Sequence, residues 1–119
     1  LDLHKYPAPE MYLYDAQRPT VLGEYGGIGL VMKDHLWEPN RNWGCVQFAS
    51  SKEATDEYVK YAEMLYNMII KGFSGAVYTQ TTDVEIEVNG LMTYDRKVIK
   101  LDEKRVREIN QRICNSLKK

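Results

Sequence analysis

The segment from residue 50 to residue 72 constrains the fold of this chain more than any other stretch of its sequence. Ser50 and Glu53 have the spacing of a capping box, in which each side chain satisfies a free backbone N–H at the start of a helix. Apolar and aromatic residues then recur every three or four positions and form one stripe: Tyr58, Tyr61, Ala62, Leu65, Met68 and Ile69. Gly72 supplies the left-handed residue that commonly ends a helix. The pattern predicts an amphipathic helix whose striped face lies in the core.

Short apolar, β-branched runs lie on both sides of this helix and predict buried strands. Residues 19–27 end at glycines, as expected where a strand runs into a loop, and residues 74–80 follow the helix directly. A last helix is predicted from near Asp102, with one apolar face made of Val106, Ile109, Ile113 and Leu117. Strands that alternate with helices predict an α/β fold with parallel βα units.

Three further segments have weaker signals. Residues 1–14 are rich in proline and aromatic residues and predict a short extended stretch followed by a loop. Residues 28–48 predict a long loop, which is unusual in a compact domain unless it forms part of a site. Residues 83–96 alternate apolar and acidic side chains before Asn89-Gly90, and this predicts a β-hairpin with a type I′ turn.

Charge and composition exclude several classes of protein. Lysine and arginine number 16 against 17 acidic residues, a balance that argues against a nucleic-acid partner. No apolar run approaches the ~18 residues that cross a bilayer, so no membrane span is expected. Cys45 and Cys114 match no metal-binding spacing; the two could pair with each other, but free thiols are the expectation. The chain begins without a methionine or a leader, and we expect it to be a piece of a longer polypeptide.

Glu24 is the first candidate for chemistry. It lies where the predicted strand gives way to two glycines, which in a βα architecture is the carboxyl edge of the sheet, where catalytic groups gather. A solvated loop glutamate would fit the same position. Asp83, Glu85 and Glu87 could hydrogen-bond a hydroxylated ligand or form a solvated acidic loop.

Histidines and aromatic residues are further candidates for the site, and each could have either a functional or a purely structural role. His4 and His35 could be ligands or bases, or ordinary hydrogen-bonding residues. The aromatic side chains that could stack on sugar faces, or simply fill a core, are Tyr6, Tyr25, Trp37 and Trp43. No histidine and carboxylate cluster has a metal spacing, so no metal site is predicted.

Two sequence elements together resemble those of glycoside hydrolase family 2, which includes β-galactosidases, β-glucuronidases and β-mannosidases. They are VLGEYG at residues 21–26, with Tyr6 upstream, and NGLMTYDR at residues 89–96. The resemblance implies an α/β fold that is a partial (β/α)8 barrel, roughly strand six through helix eight. Residues 1–119 would then be the C-terminal fragment of a glycosidase TIM-barrel domain, because 119 residues cannot close a barrel of ~250.

The resemblance also implies an activity. This segment would supply the nucleophile, Glu24, of a retaining β-glycosidase that hydrolyses oligo- or polysaccharides, with Tyr6 hydrogen-bonded to that nucleophile. The family's acid/base is a glutamate after strand four, outside this chain, so the isolated fragment is expected to be inactive. A non-catalytic carbohydrate-binding segment is the alternative. The residues expected to bind substrate are Tyr6, His4, Trp37, Asp83, Glu85 and Asn89.

The remaining expectations concern partners and compartment. The mechanism requires no cofactor and no metal, and the partners would be a carbohydrate substrate and the rest of the parent barrel. Exposed strand edges predict self-association of the fragment. The resemblance indicates a periplasmic or secreted protein. In one respect the chain departs from the family, because YTQTTD at residues 78–83 stands where a tryptophan is common, and this makes the floor of the site more polar.

Overall fold

The computed structural model describes residues 1–118, and within them the chain forms two helices and five short strands. In chain order the elements are β1 (Asp2–His4), β2 (Thr20–Gly26), β3 (Ile28–Leu30), β4 (Val46–Phe48), α1 (Ser51–Ile69), β5 (Phe73–Thr79) and α2 (Glu103–Cys114). The predicted α1, β2, β5 and α2 are confirmed, although α2 ends at Cys114, three residues before the Leu117 that its predicted face included.

The strands form two small sheets, and every strand pair within them is parallel. Three strands lie in the order β1-β2-β5, so that β2 is central, and Leu22 at its middle is completely buried. Strands β3 and β4 pair only with each other among the described residues. Helix α1 packs against β3, β4 and β5. The α/β class and the parallel pairing are therefore confirmed.

The partial (β/α)8 barrel is wrong. A barrel arc is one continuous sheet in which each strand is followed by a helix that covers it. Here residues 5–19, between β1 and β2, contain no helix, and the strands are divided between two separate sheets. Residues 28–48, predicted as loop throughout, supply the strands β3 and β4 of the second sheet. Residues 1–118 form a small α/β domain.

Helix α1 begins as its sequence predicts, with one difference in detail. The Ser50 side chain accepts a hydrogen bond from the Glu53 N–H at 3.1 Å, whereas the Glu53 carboxylate accepts from the Ala49 N–H, one residue before the expected partner. Gly72 has φ +95°, the left-handed conformation expected after the helix. The buried members of the stripe are Tyr58, Tyr61, Ala62 and Leu65.

Helix α2 is capped by Asp102, whose side chain accepts from the Arg105 N–H at 3.1 Å. It buries Ile109 against the core, while Val106 and Ile113 are partly buried. Leu117 lies beyond the last turn and is 78% exposed, so its assignment to the apolar face is wrong. Neither helix within residues 1–118 is long and apolar enough to cross a membrane.

The predicted hairpin over residues 83–96 is also wrong, because the chain reverses four residues earlier than its turn sequence indicates. Val84 and Glu87 exchange both backbone hydrogen bonds, at 2.9 and 3.1 Å, so the reversal lies at residues 85–86, where Glu85 has φ +52°. Asn89 and Gly90 are buried instead of exposed in a turn. A Cβ at Gly90 would collide with the backbone of Asp83. Glycine therefore serves close packing here.

Candidate functional site

The carboxyl ends of the three parallel strands bring Tyr6, Glu24 and Thr79 together. Parallel pairing sets His4, at the end of β1, beside Glu24 in β2, and Thr79 ends β5. The Tyr6 hydroxyl lies 2.8 Å from Glu24 Oε2 and 2.7 Å from Thr79 Oγ1. This edge of an open parallel sheet is where α/β proteins commonly bind ligands.

The hydroxyl of Tyr6 is a fixed hydrogen-bond donor to Glu24. Burial raises the pKa of the Tyr6 phenol, and its hydrogen bond to the Glu24 carboxylate raises that pKa further. The phenol therefore keeps its proton at neutral pH. Because it has one proton and the carboxylate can only accept, the Thr79 hydroxyl donates to the phenol oxygen. Thr79 thus orients Tyr6, and Tyr6 in turn holds one oxygen of Glu24.

A cleft of about 300 Å³ opens beside this pair. Its lining residues are Tyr6, Glu24, Trp43, Cys45, Glu87 and Asn89. Trp43 is 52% exposed and presents an aromatic surface there, while Asn89 is only 1% exposed. The lining thus combines two carboxylates, a phenol, an amide and an indole. Such a set can bind a polyhydroxylated ligand through hydrogen bonds and through contact with an apolar face.

Backbone hydrogen bonds join the far wall of the cleft to residues 43–45. The Trp43 N–H donates to the Ile86 carbonyl at 2.7 Å, and the Val88 N–H donates to the Trp43 carbonyl at 2.8 Å. The Cys45 N–H donates to the Asn89 side-chain oxygen at 3.3 Å. A Cβ at Gly44 would lie 2.9 Å from that oxygen, so glycine allows the close approach. The positions of Trp43 and Asn89 are therefore coupled.

The structure brings some of the predicted site residues into this cleft and leaves others outside. Glu24, Tyr6 and Asn89 line it. His4 stands at the rim, half-exposed, with Nδ1 3.5 Å from Glu24 Oε2. Trp37 lies elsewhere, 61% exposed and edge-on to Tyr94, and so does not reach the cleft.

Two of the three acidic candidates are displaced by the turn at residues 85–86. Glu85 is exposed at that turn and is not among the residues that line the cleft. Asp83 is buried, and its carboxylate accepts a hydrogen bond from Lys100 Nζ at 2.7 Å. Glu87 lines the cleft in place of Glu85, so the prediction that Glu85 binds substrate there is wrong. Even spacing would place Glu85 and Glu87 on one side of a strand, but the turn separates them.

The buried pair of Asp83 and Lys100 supports the segment that carries Glu87 and Asn89. Lys100 Nζ also donates to the Val88 carbonyl at 2.9 Å, and the Gly90 N–H donates to Asp83 at 2.8 Å. Burial raises the pKa of Asp83 and lowers that of Lys100, and the attraction between the two groups opposes both shifts. Asp83 therefore stabilises the wall of the cleft from its buried side and cannot contact a ligand.

His35, Asp95 and the aromatic candidate Tyr25 have structural contacts instead of contacts with the cleft. Nδ1 of His35 lies 2.8 Å from Asp95 Oδ2, and the Thr93 hydroxyl donates to the other oxygen at 2.6 Å. The hydrogen bonds from Thr93 and His35 hold the pKa of Asp95 well below its usual range. Tyr25 is 4% exposed and packs edge-on to Tyr78.

No group of three histidine, cysteine or acidic side chains within residues 1–118 is arranged to hold a metal ion. Cys45 and Cys114 are both free thiols. No protein-family model matches the sequence, and neither does any curated protein. The function of the chain is therefore inferred from the cleft itself and from the motifs at residues 21–26 and 89–96.

Proposed function

We propose that this protein takes part in the hydrolysis of β-glycosidic bonds in oligo- or polysaccharides by a retaining mechanism, with Glu24 as the nucleophile. The observation that carries the proposal is the 2.8 Å hydrogen bond from the Tyr6 hydroxyl to Glu24 Oε2 at the mouth of the cleft. It orients a carboxylate and leaves its second oxygen free to react. The resemblance to glycoside hydrolase family 2 assigns the same roles to these two residues.

The reaction consists of two displacements at the anomeric carbon. Glu24 Oε1 attacks that carbon, the bond to the leaving oxygen breaks, and its electron pair leaves with that oxygen. Water then attacks the same carbon, a general base takes its proton, and the ester bond breaks with return of its electrons to Glu24. Tyr6 donates to the carboxylate that re-forms, which lowers the barrier to the second step.

A second carboxyl group must protonate the leaving oxygen and later deprotonate the water, about 5 Å from the nucleophile. The motifs at residues 21–26 and 89–96 assign this role to none of the residues 1–119. Glu87 is held on its two oxygens by Gln80 and Asn89, at 3.3 and 3.4 Å, as a group placed for binding. The chain alone is therefore expected to react only with sugars whose leaving group departs without a proton.

Covalent trapping tests the proposal. The protein is incubated with 2,4-dinitrophenyl 2-deoxy-2-fluoro-β-glycosides of glucose, galactose and mannose, and its peptides are mapped by mass spectrometry. We expect one fluoroglycosyl group on Glu24 from at least one sugar. Glu24→Gln should abolish the label, whereas Glu85→Gln, at an exposed carboxylate outside the cleft, should retain it. Label on another carboxylate, or none from any sugar, would overturn the proposal.

Carbohydrate binding without turnover is the second candidate function. Trp43 favours it, because an indole half-exposed at the mouth of a polar cleft is suited to stack on a sugar ring. Saturable binding of a methyl β-glycoside by a protein that never forms an ester on Glu24 would favour this function over catalysis.

A further inference from the structure

The charged side chains that line the cleft are both negative. Glu24 and Glu87 both line it, and within residues 1–118 the lining includes no lysine or arginine. The imidazole of His4 approaches Glu24 at 3.5 Å, but its other ring nitrogen faces Asp2 at 3.4 Å. A ligand that enters the cleft therefore contacts two carboxylates and no lysine or arginine of the described lining.

Glu87 is held in a fixed position but retains the capacity to bind. The Gln80 amide donates to one of its oxygens at 3.3 Å and the Asn89 amide donates to the other at 3.4 Å. Each carboxylate oxygen can accept two hydrogen bonds, so both can still accept one from a ligand. Because Asn89 is buried, Glu87 cannot turn away from the cleft without breaking this contact.

The negative charge of Glu87 also acts across the cleft. It adds to burial and to the Glu24 carboxylate in raising the pKa of the Tyr6 phenol. The Glu87 charge therefore acts on the group that orients the nucleophile, and a ligand held between them would lie within the field of both carboxylates.

We propose that Glu87 restricts this cleft to sugars without a negative charge. The inference rests on the proposed function, since it takes the ligand to be a sugar, and it names the class: neutral pyranosides whose hydroxyl groups donate to Glu87. The carboxylate of a uronic acid or a sulfate ester would meet like charge on two sides. It would also find no basic side chain in the described lining to replace its lost hydration.

The test compares matched pairs of sugars by fluorescence. The chain has two tryptophans, so a Trp37→Phe background leaves Trp43, at the cleft, as the only indole. The titrants are methyl β-D-glucopyranoside against methyl β-D-glucuronide, and methyl β-D-galactopyranoside against methyl β-D-galacturonide. We expect the neutral member of at least one pair to bind about tenfold more tightly at low salt, as like-charge repulsion at close range predicts.

Two variants assign the selectivity to Glu87. Glu87→Gln keeps the shape of the side chain and should bring the uronide within about threefold of the neutral sugar, because one of the two repelling charges is gone. Glu85→Gln removes the same charge two residues away, on the exposed turn, and should leave the ratio unchanged. Salt should improve uronide binding in the parent more than in Glu87→Gln.

Three results would overturn the inference: equal or tighter binding of the uronide, an unchanged ratio in Glu87→Gln, or no response of Trp43 to any of the sugars. The readout is separate from ester formation at Glu24. Labelling of Glu24 without selectivity would refute only the role of Glu87. Selectivity that depends on Glu87, without labelling, would refute only the catalytic proposal.

Discussion

At the scale of single residues, the Tyr6 hydroxyl distinguishes Glu24 from the other glutamates of the chain. Several exposed glutamates form ion pairs with lysine or arginine on the surface, such as Glu10 with Lys5 at 3.4 Å, and contacts of that kind contribute little. Glu24 instead accepts from a neutral phenol that is itself positioned by Thr79. A fixed neutral donor orients a carboxylate without removing its charge, as a nucleophile requires.

Tyr6→Phe tests this contact. Loss of a hydrogen bond to a charged group costs about 1.5–3 kcal/mol, and the re-formed Glu24 carboxylate needs that bond. We therefore expect release of the trapped fluoroglycosyl group from Glu24 to slow by about tenfold or more, with the site of labelling unchanged. The measurement is the half-life of the ester by mass spectrometry. Tyr12→Phe, at an exposed tyrosine, is the control, and equal half-lives in Tyr6→Phe and the parent would contradict the role.

The sequence indicated Glu24 and Tyr6, but it favoured Glu85 where the structure has Glu87 in the cleft, and it did not indicate the burial of Asp83. Motif spacing identifies residues at the end of a strand, because the strand fixes where they point. Beyond residue 80 the chain has no regular element until α2, so side-chain direction depends on a turn set by tertiary contacts. Asn89-Gly90 favours a turn locally, but Gly90 is packed against Asp83, and the lysine that neutralises Asp83 lies 17 residues away.

At the scale of elements, Asp95 joins two irregular segments that carry no strand or helix of their own. It accepts from His35 in the loop between β3 and β4, and from Thr93 and the Lys97 N–H in its own loop. The two helices were predictable because their stripes and caps are local in sequence. The contact between His35 and Asp95 was not predictable, since the two residues are 60 positions apart and neither has a distinctive sequence pattern around it.

Asp95→Asn should lower the free energy of unfolding at neutral pH. The folded-state pKa of Asp95 is depressed, so its contribution is present above the unfolded-state value, about 4, and is lost as the pH falls below it. The difference between parent and variant should therefore be constant from pH 7 to about pH 5 and shrink at lower pH. Urea denaturation at several pH values measures it. Asp34→Asn, exposed in the His35 loop, should show no such trend, and a difference that grows toward acid would contradict the assignment.

At the scale of the whole molecule, the ion pair of Lys100 and Asp83 connects the cleft wall to the body of the domain. Lys100→Met would leave Asp83 buried without its partner, which typically costs 3–5 kcal/mol, or about half the stability of a small domain. Adding Asp83→Asn removes the orphaned charge and keeps an acceptor for the Gly90 N–H. The double variant should therefore unfold at higher urea concentration than Lys100→Met alone. The reverse order would contradict a buried charge as the cause.

The edge of the three-stranded sheet is the remaining feature that acts on the molecule as a whole. Strand β5 pairs with β2 on one side, and no strand within residues 1–118 covers its other side. Several of its side chains are exposed, including Val77 at 56%, and a net charge of −1 provides little repulsion between copies. These conditions predict self-association that increases with concentration.

A single charge on this edge tests that prediction. Val77→Lys places a lysine on an exposed position of β5, where edge strands commonly carry one to prevent pairing. In sedimentation velocity the parent should shift to larger species between low and high micromolar concentrations, whereas Val77→Lys should sediment as a monomer throughout. Val31→Lys changes an exposed valine just after β3 and should associate as the parent does. A parent that is monomeric at all concentrations, or association equal in all three proteins, would mean that the β5 edge does not pair between copies.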